Sequence, residues 1–371
     1  MSLARRIWAL SAIPVTSILL ALLAGSILII FSGLAVPGGT IDFALPIVAY
    51  VALLDGAVGR ETAIVNTLVA ATPMVFTGLA VGVGFKAGLF NIGGTGQVLM
   101  GGFVAALTGA AVSGLPVPVA VTLAITTGAL AGGLYGFIPG VLKAYTGAHE
   151  VVSTIMLNSI ASFVIVGLVN DVFKITGPSF ARTADIGSAT LPILFGRSGH
   201  VGVLLAVAVI PVVYWLIWRT TLGFEIRTVG ANPSAARYAG MNPRFLIVFT
   251  MSLCGLFAGL GGTMEILSLG YYPAVFGTTI GFAGITVALL GRSHPVGILL
   301  SALLLGAMRA GAPSMQIEAK VPVEIVDVIQ ALILIFLAAE AIVRRLVRVR
   351  APAIQGQEVR TVSQTYGRRE V

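Results

Sequence analysis

The chain has 371 residues, of which 57% are hydrophobic and only 10% charged, and its mean hydropathy is +1.02. That balance excludes a soluble globular protein and makes this an integral membrane protein. A net charge of +8 would point a soluble domain towards nucleic acid, but here the basic residues fall in short loops and a tail. They report membrane topology, and no nucleic-acid partner is expected.

Ten apolar segments follow one another, at 12–34, 62–83, 87–112, 119–141, 150–171, 200–218, 245–268, 276–291, 295–312 and 323–343. At roughly 1.5 Å per residue most can cross a hydrocarbon core as helices. Strands of a membrane barrel would instead show short alternating patterns. The fold expected is all-α, a polytopic membrane bundle of about ten transmembrane helices in one domain, 1–350. The first segment follows Arg5 and Arg6 and is too long for the core of a signal peptide, so it reads as an uncleaved first helix. The eighth, "FGTTIGFAGITVALLG", is short enough to be re-entrant or broken.

With the N-terminus inside, 16 of the 22 Lys and Arg residues face the cytoplasm and 6 face out. That bias places both termini in the cytoplasm. The long loops 35–61 and 172–199 are then external. The first contains "IDFALPIVAYVALLDGAVG", which reads as a helix along the membrane surface or packed on the bundle. The tail 351–371 is polar and patternless, and disorder is expected there.

Small residues recur inside the segments, as in "GALAGGLYG" and "GLFAGLGG", where they permit close helix packing or helix breaks. Cys254, the single cysteine, lies in an apolar segment and reads as a small packed residue, with no disulfide framework possible. "FKAGLFNIGGTGQVLMGGF" and "GFAGITVALLGRSHPVGILL" each pair a Gly-rich break with a charged inner loop, as an internal repeat would.

Four segments carry chemistry. In "GLFNIGGTGQ" the glycines open backbone groups that lipid does not tolerate and a polar cavity does. Asn91, Thr95 and Gln97 are therefore candidate path residues, the alternative being a Gly-mediated helix contact with Asn91 as a local cap. In "GAHEVVSTIMLNSI", Glu150, Thr154 and Asn158 are spaced by four and share one helix face, which in a membrane turns to the bundle interior or a wet cavity. His149 beside them reads as a loop histidine. In "RTVGANPSAARYAGMNPR", within the cytoplasmic loop 219–244, Asn232 can cap a short helix that starts at Pro233 and ends before Gly240. A helix of about two turns needs packing to persist. The loop is either an ordinary basic loop or a docking knob for a cytoplasmic partner. Finally, Glu324 and Asp327 open the last segment, where dipole compensation or pairing with Arg309 accounts for them.

No phosphate loop, H-E-x-x-H or G-x-S-x-G occurs, and no metal-ligand spacing, so the chain shows no means of hydrolysing ATP, peptides or esters. It is not expected to be an enzyme or to bind a cofactor.

The stretches "ATPMVFTGLAVGVGFKAGLFNIGGTGQ", "HEVVSTIMLNSIA", "RTTLGFEIRTVGANPSAARYAGMN", "GITVALLGRSHPVGI" and "MRAGAPSMQIEAKVPVEIVDVIQALIL" run in order over about residues 50–340. Through them the chain resembles permease subunits of bacterial ATP-binding cassette importers of the branched-chain amino acid and simple sugar group. It looks most like the nucleoside (simple sugar) permeases that work with basic membrane lipoprotein receptors. The resemblance implies a bacterial inner-membrane location, a separate and double-length ATPase that uses ATP and Mg, a second permease subunit and a substrate-binding lipoprotein. It also implies that Asn232–Gly240 is the coupling helix in a groove of the ATPase, with Arg227, Ser234, Ala235, Arg237 and Tyr238 in that contact region. Relatives commonly carry acids where this chain has Thr95 and Ala283, so no role of those acids carries over. The alternatives are a branched-chain amino acid permease of the same group and a self-contained ion-coupled carrier. Proton coupling is disfavoured because Glu61, Asp171, Glu265, Glu324 and Glu340 lie near segment ends, while sodium, whose ligands can be carbonyls, stays open.

Overall fold

The computed structural model describes residues 3–32, 41–175, 180–276 and 279–339. The tail 351–371, for which disorder is expected, lies outside the described residues, as does the end of the last segment.

The described residues form thirteen α-helices: α1 (Leu3–Ser32), α2 (Leu45–Val58), α3 (Glu61–Lys86), α4 (Gly94–Ala111), α5 (Val117–Val141), α6 (Glu150–Asp171), α7 (Val201–Arg219), α8 (Thr221–Ala231), α9 (Pro233–Tyr238), α10 (Pro243–Leu269), α11 (Thr279–Leu290), α12 (Pro295–Ala319) and α13 (Glu324–Ala338). Seven helical stretches among them are long and apolar enough to cross a membrane. The chain is a multi-pass helical membrane protein, and the ten-segment reading is compatible with this arrangement. In the loop between α6 and α7, β1 (Ile193–Phe195) and β2 (Gly199–His200) form a small antiparallel pair.

The centre is built from α3, α4, α5 and α10. Glycine decides how closely they approach. "GALAGGLYG" and "GLFAGLGG" face each other: a Cβ at Gly132 would lie 2.6 Å from Gly259 Cα, and one at Gly136 would lie 2.9 Å from Gly255 Cα. Gly101 of α4 meets Gly259 from the other side, and Gly262 meets Val98 O. The glycines at 128, 132 and 136 are one helical turn apart, so one bare stripe lets two backbones touch where lipid supplies no hydrophobic drive. Close packing is the reading that holds. Cys254 is wholly buried in that same core.

Two expectations change in detail, and the shortness expected of the eighth segment is found. The segment 87–112 becomes helical only at Gly94, because residues 87–93 follow an irregular path with Gly88 at φ +69°. The eighth segment is a helix of only 12 residues, about 18 Å long, which is short of a roughly 30 Å core. Arg309 sits 3.5 Å from Glu265, so its partner is on α10 and not the acids that open α13. The sequence at 45–58 is a helix packed on the C-terminal half of α12: a Cβ at Gly56 would lie 2.6 Å from Ser314 Cβ. Packing on the bundle, the second of the two readings, describes it.

At one end of the core the loop between α6 and α7 is fastened to the α10–α11 connection. Thr183 N donates to Tyr272 O at 2.9 Å, Tyr272 N donates to Thr183 Oγ1 at 3.0 Å, and Ala274 N donates to Ala181 O at 2.9 Å. These bonds satisfy backbone groups that neither loop could satisfy alone.

Candidate functional site

The polar residues singled out from the sequence meet where α4 begins. Asn91 Nδ2 donates to Gln97 Oε1 at 2.9 Å, and Gln97 Nε2 returns a bond to Asn91 Oδ1 at 3.2 Å. Asn91 Oδ1 also accepts from Gly93 N at 3.0 Å, so the local cap and the polar cluster are one arrangement. Asn158 reaches over from α6: its Oδ1 accepts from Gly96 N at 2.7 Å and its Nδ2 donates to Ile92 O at 2.9 Å. Both bonds serve backbone groups left open by the glycine-rich path, which is why an amide, donor and acceptor at once, suits this position. Gly96 makes room for it, since a Cβ there would lie 3.0 Å from Asn158 Oδ1.

Glu150, Thr154 and Asn158 do line one buried face of α6. Thr154 Oγ1 donates to Glu150 O at 2.7 Å, and Glu150 Oε2 lies 2.7 Å from Lys143 Nζ. The cluster is thus neutral at its centre and charged at one end. Thr95, 4% exposed, lies against α11, where a Cβ at Gly281 would be 2.5 Å from Thr95 Oγ1. Thr95 and Ala283, expected in Gly-rich breaks, instead lie inside α4 and α11, and the two helices touch through Thr95 and Gly281. At this junction the amides are buried and bonded to one another and to the backbone. Among the described residues no group of three His, Cys, Asp or Glu is placed to hold a metal ion.

The second site is the loop between α7 and α10. Thr220 Oγ1 accepts from Gly223 N at 3.0 Å and caps α8. Asn232 Oδ1 accepts from Ser234 N at 3.0 Å and Ala235 N at 3.1 Å, and so starts α9. At its other end Gly240 takes φ +83°, with Gly240 N donating to Arg237 O and Met241 N to Ala236 O, each at 3.0 Å. This paired closure is a Schellman motif, which needs the left-handed conformation that glycine adopts without strain. Capped at both ends, the six-residue helix is anchored by Ala236, which is fully buried. Ser234, Ala235, Arg237 and Tyr238 are exposed, and Tyr238 is 94% exposed. Arg227 is not on this face. It is half-buried on α8, where Nε donates to Gly223 O at 3.3 Å.

Two features have no counterpart in the sequence reading. Lys143 is a basic loop residue by sequence, but a π-helical turn at Leu142–Thr146 turns it towards Glu150. An aromatic corner gathers Tyr214, Trp218 and His294, with Lys86 Nζ 5.5 Å from the Trp218 ring centre. Burial, then the Lys86 charge, holds the His294 imidazole below its ordinary pKa. The aromatic corner carries no sequence motif because its residues are far apart in the chain, whereas Lys143 and Glu150 are close in sequence and are paired by the π turn between them.

The model of the family described as "Branched-chain amino acid transport system / permease component" matches residues 63–338, from α3 to the end of α13. The chain belongs to this family. The permease is 40% identical over 339 residues to the guanosine ABC transporter permease protein NupP of Bacillus subtilis, a match covering 90% of this chain and 94% of that one. It is 34% identical to the nucleoside ABC transporter permease protein NupB of Lactococcus lactis, over 84% of this chain and 89% of that one. The glucose ABC transporter permease protein of Haloferax volcanii is 33% identical, over 91% and 90% of the two chains. All three relatives are named as transport components.

Proposed function

We propose that the permease is the transmembrane subunit of an ATP-driven importer for nucleosides or related sugar compounds, in a bacterial inner membrane with both termini cytoplasmic. Two relatives named for guanosine and nucleosides, at 40% and 34% identity over most of the chain, support the substrate class. The observation that carries the mechanism is α9, a short helix capped at both ends that is anchored by buried Ala236 and displays Tyr238 at 94% exposure. A large exposed aromatic beside an arginine on a rigid element is the composition of a protein contact. On this reading α9 seats in an ATPase chain, of double length by family resemblance; that chain holds ATP and Mg, and this one needs no cofactor of its own. A second, different permease subunit completes the path, and a lipoprotein delivers the solute to its outer mouth. Closure of the ATPase pair moves α9, which shifts access to the Asn91–Asn158 junction from outside to inside.

The test is uptake of radiolabelled guanosine by cells carrying the whole complex. Arg237→Glu and Tyr238→Ala are expected to abolish ATP-dependent uptake and retention of the ATPase while the chain stays inserted. Unchanged uptake in both would sink the docking assignment, and uptake by the purified chain without any ATPase would overturn the importer class.

A further inference from the structure

The corner between α5 and α6 holds an ion pair for which the transport reading has no use. α5 runs straight into the π-helical turn Leu142–Thr146, and the chain then reverses through Gly147 at φ +71°. Single π turns inside helical runs occur frequently at functional sites. Lys143 Nζ and Glu150 Oε2 are 2.7 Å apart with 15% and 8% of the two side chains exposed, whereas each of the other three ion pairs among the described residues has a partner at least 38% exposed. A pair this buried gives up hydration on both ions, so it is a poor device for stability alone and a good one for holding a single arrangement that can be switched.

Its neighbours say what it holds. Glu150 opens the face that continues through Thr154 to Asn158, and Asn158 in turn fixes Ile92 and Gly96. On the other side of the turn, the Arg244 guanidinium lies 5.7 Å from the centre of the Tyr145 ring. Arg244 is in the first turn of α10, directly after the Gly240 closure of α9.

We infer that the Lys143–Glu150 pair is a latch on the cytoplasmic end of the polar path. Closed, it holds the start of α6 against the α5 corner and seals Thr154 and the amide junction from the cytoplasm. Displacement of α9 reaches it through Arg244 on Tyr145. The sealing role stands on the geometry of the corner; the relay rests on α9 being the helix that meets the ATPase.

The test uses the whole complex in inside-out vesicles, with Thr154→Cys in a Cys254→Ala background, and reads the rate of labelling by a charged maleimide. Labelling is expected to be slow in this parent and at least about fivefold faster with Lys143→Gln or Glu150→Gln. The double variant Lys143→Gln/Glu150→Gln should label no faster than either single one, because the interaction is already lost. Equal rates in parent and single variants overturn the latch, and so does a double variant whose acceleration is the product of the two. In chains that keep Cys254 and Thr154, the buried Cys254 should stay unlabelled with either substitution; its labelling would show general loosening and overturn the latch as well. A non-hydrolysable ATP analogue should change the parent rate. Persistence of that change in Tyr145→Ala overturns the relay, whereas persistence in Arg237→Glu fails the docking of α9 and leaves the sealing result standing.

Discussion

Replacing Asn158 with leucine removes a side chain that ties the irregular opening of α4 to α6. Leucine is close in volume but offers neither donor nor acceptor, so Gly96 N and Ile92 O lose the partners they have at 2.7 and 2.9 Å. Each buried group left unpaired costs roughly 1–3 kcal/mol, so the pair costs about 2–6 kcal/mol of unfolding free energy. An unfolding entropy of roughly 2.1 cal/mol/K per residue over the 371-residue chain turns this into a fall in melting temperature of about 3–8 °C. Cys254 supplies the assay. It is the single cysteine and is wholly buried in α10, so a thiol-reactive fluorogenic dye added during heating of the detergent-purified chain reports core opening with no introduced label. Transport should fail with it, since the same bonds shape the junction. A melting temperature within about 1 °C of the parent would refute the bridging role of Asn158.

Asn232→Ala removes the acceptor for Ser234 N and Ala235 N and should cost about 1 kcal/mol, confined to α9. Uptake should fall while the Cys254 melt stays unchanged, and Asn232→Asp should retain uptake; a shift in the whole melt would contradict a local role. Gly132→Ala places a Cβ 2.6 Å from Gly259 Cα, backbone against backbone, and should destabilise the chain by about 1–3 kcal/mol and so lower its melt, whereas Gly167→Ala, with nothing within 4 Å, should not. Equal melts for the two would refute glycine-mediated packing. His294 is held below its ordinary value by burial and Lys86, so the unfolded chain takes up its proton more readily than the folded one. Its contribution is complete above an unfolded pKa of about 6.5 and is lost as pH falls below it, and His294→Gln should flatten the acid side of a stability–pH profile.

Much of the fold was legible because lipid makes sequence unusually explicit. A backbone that cannot hydrogen-bond to its surroundings must close its own bonds as helix, so long apolar runs announce spans, and α3, α7, α10 and α12 lie close to where those runs place them. Local chemistry was equally readable: Asn232, Pro233 and Gly240 specify α9 through bonds that reach no further than a few residues. The spacing of Glu150, Thr154 and Asn158 likewise put them on one face before any partner was known. What these residues touch was decided only by the tertiary structure. Asn158 meets Gly96 across 62 positions, the glycine stripes of α5 and α10 meet across more than a hundred, and Arg309 finds Glu265 in place of the acids that open α13. Lys143 looks like any inner-loop lysine until the π turn aims it at Glu150. Short-range bonds and the demand of lipid act on contiguous residues and so leave a pattern in sequence; pairings between helices depend on how whole surfaces pack, and no single stretch encodes them.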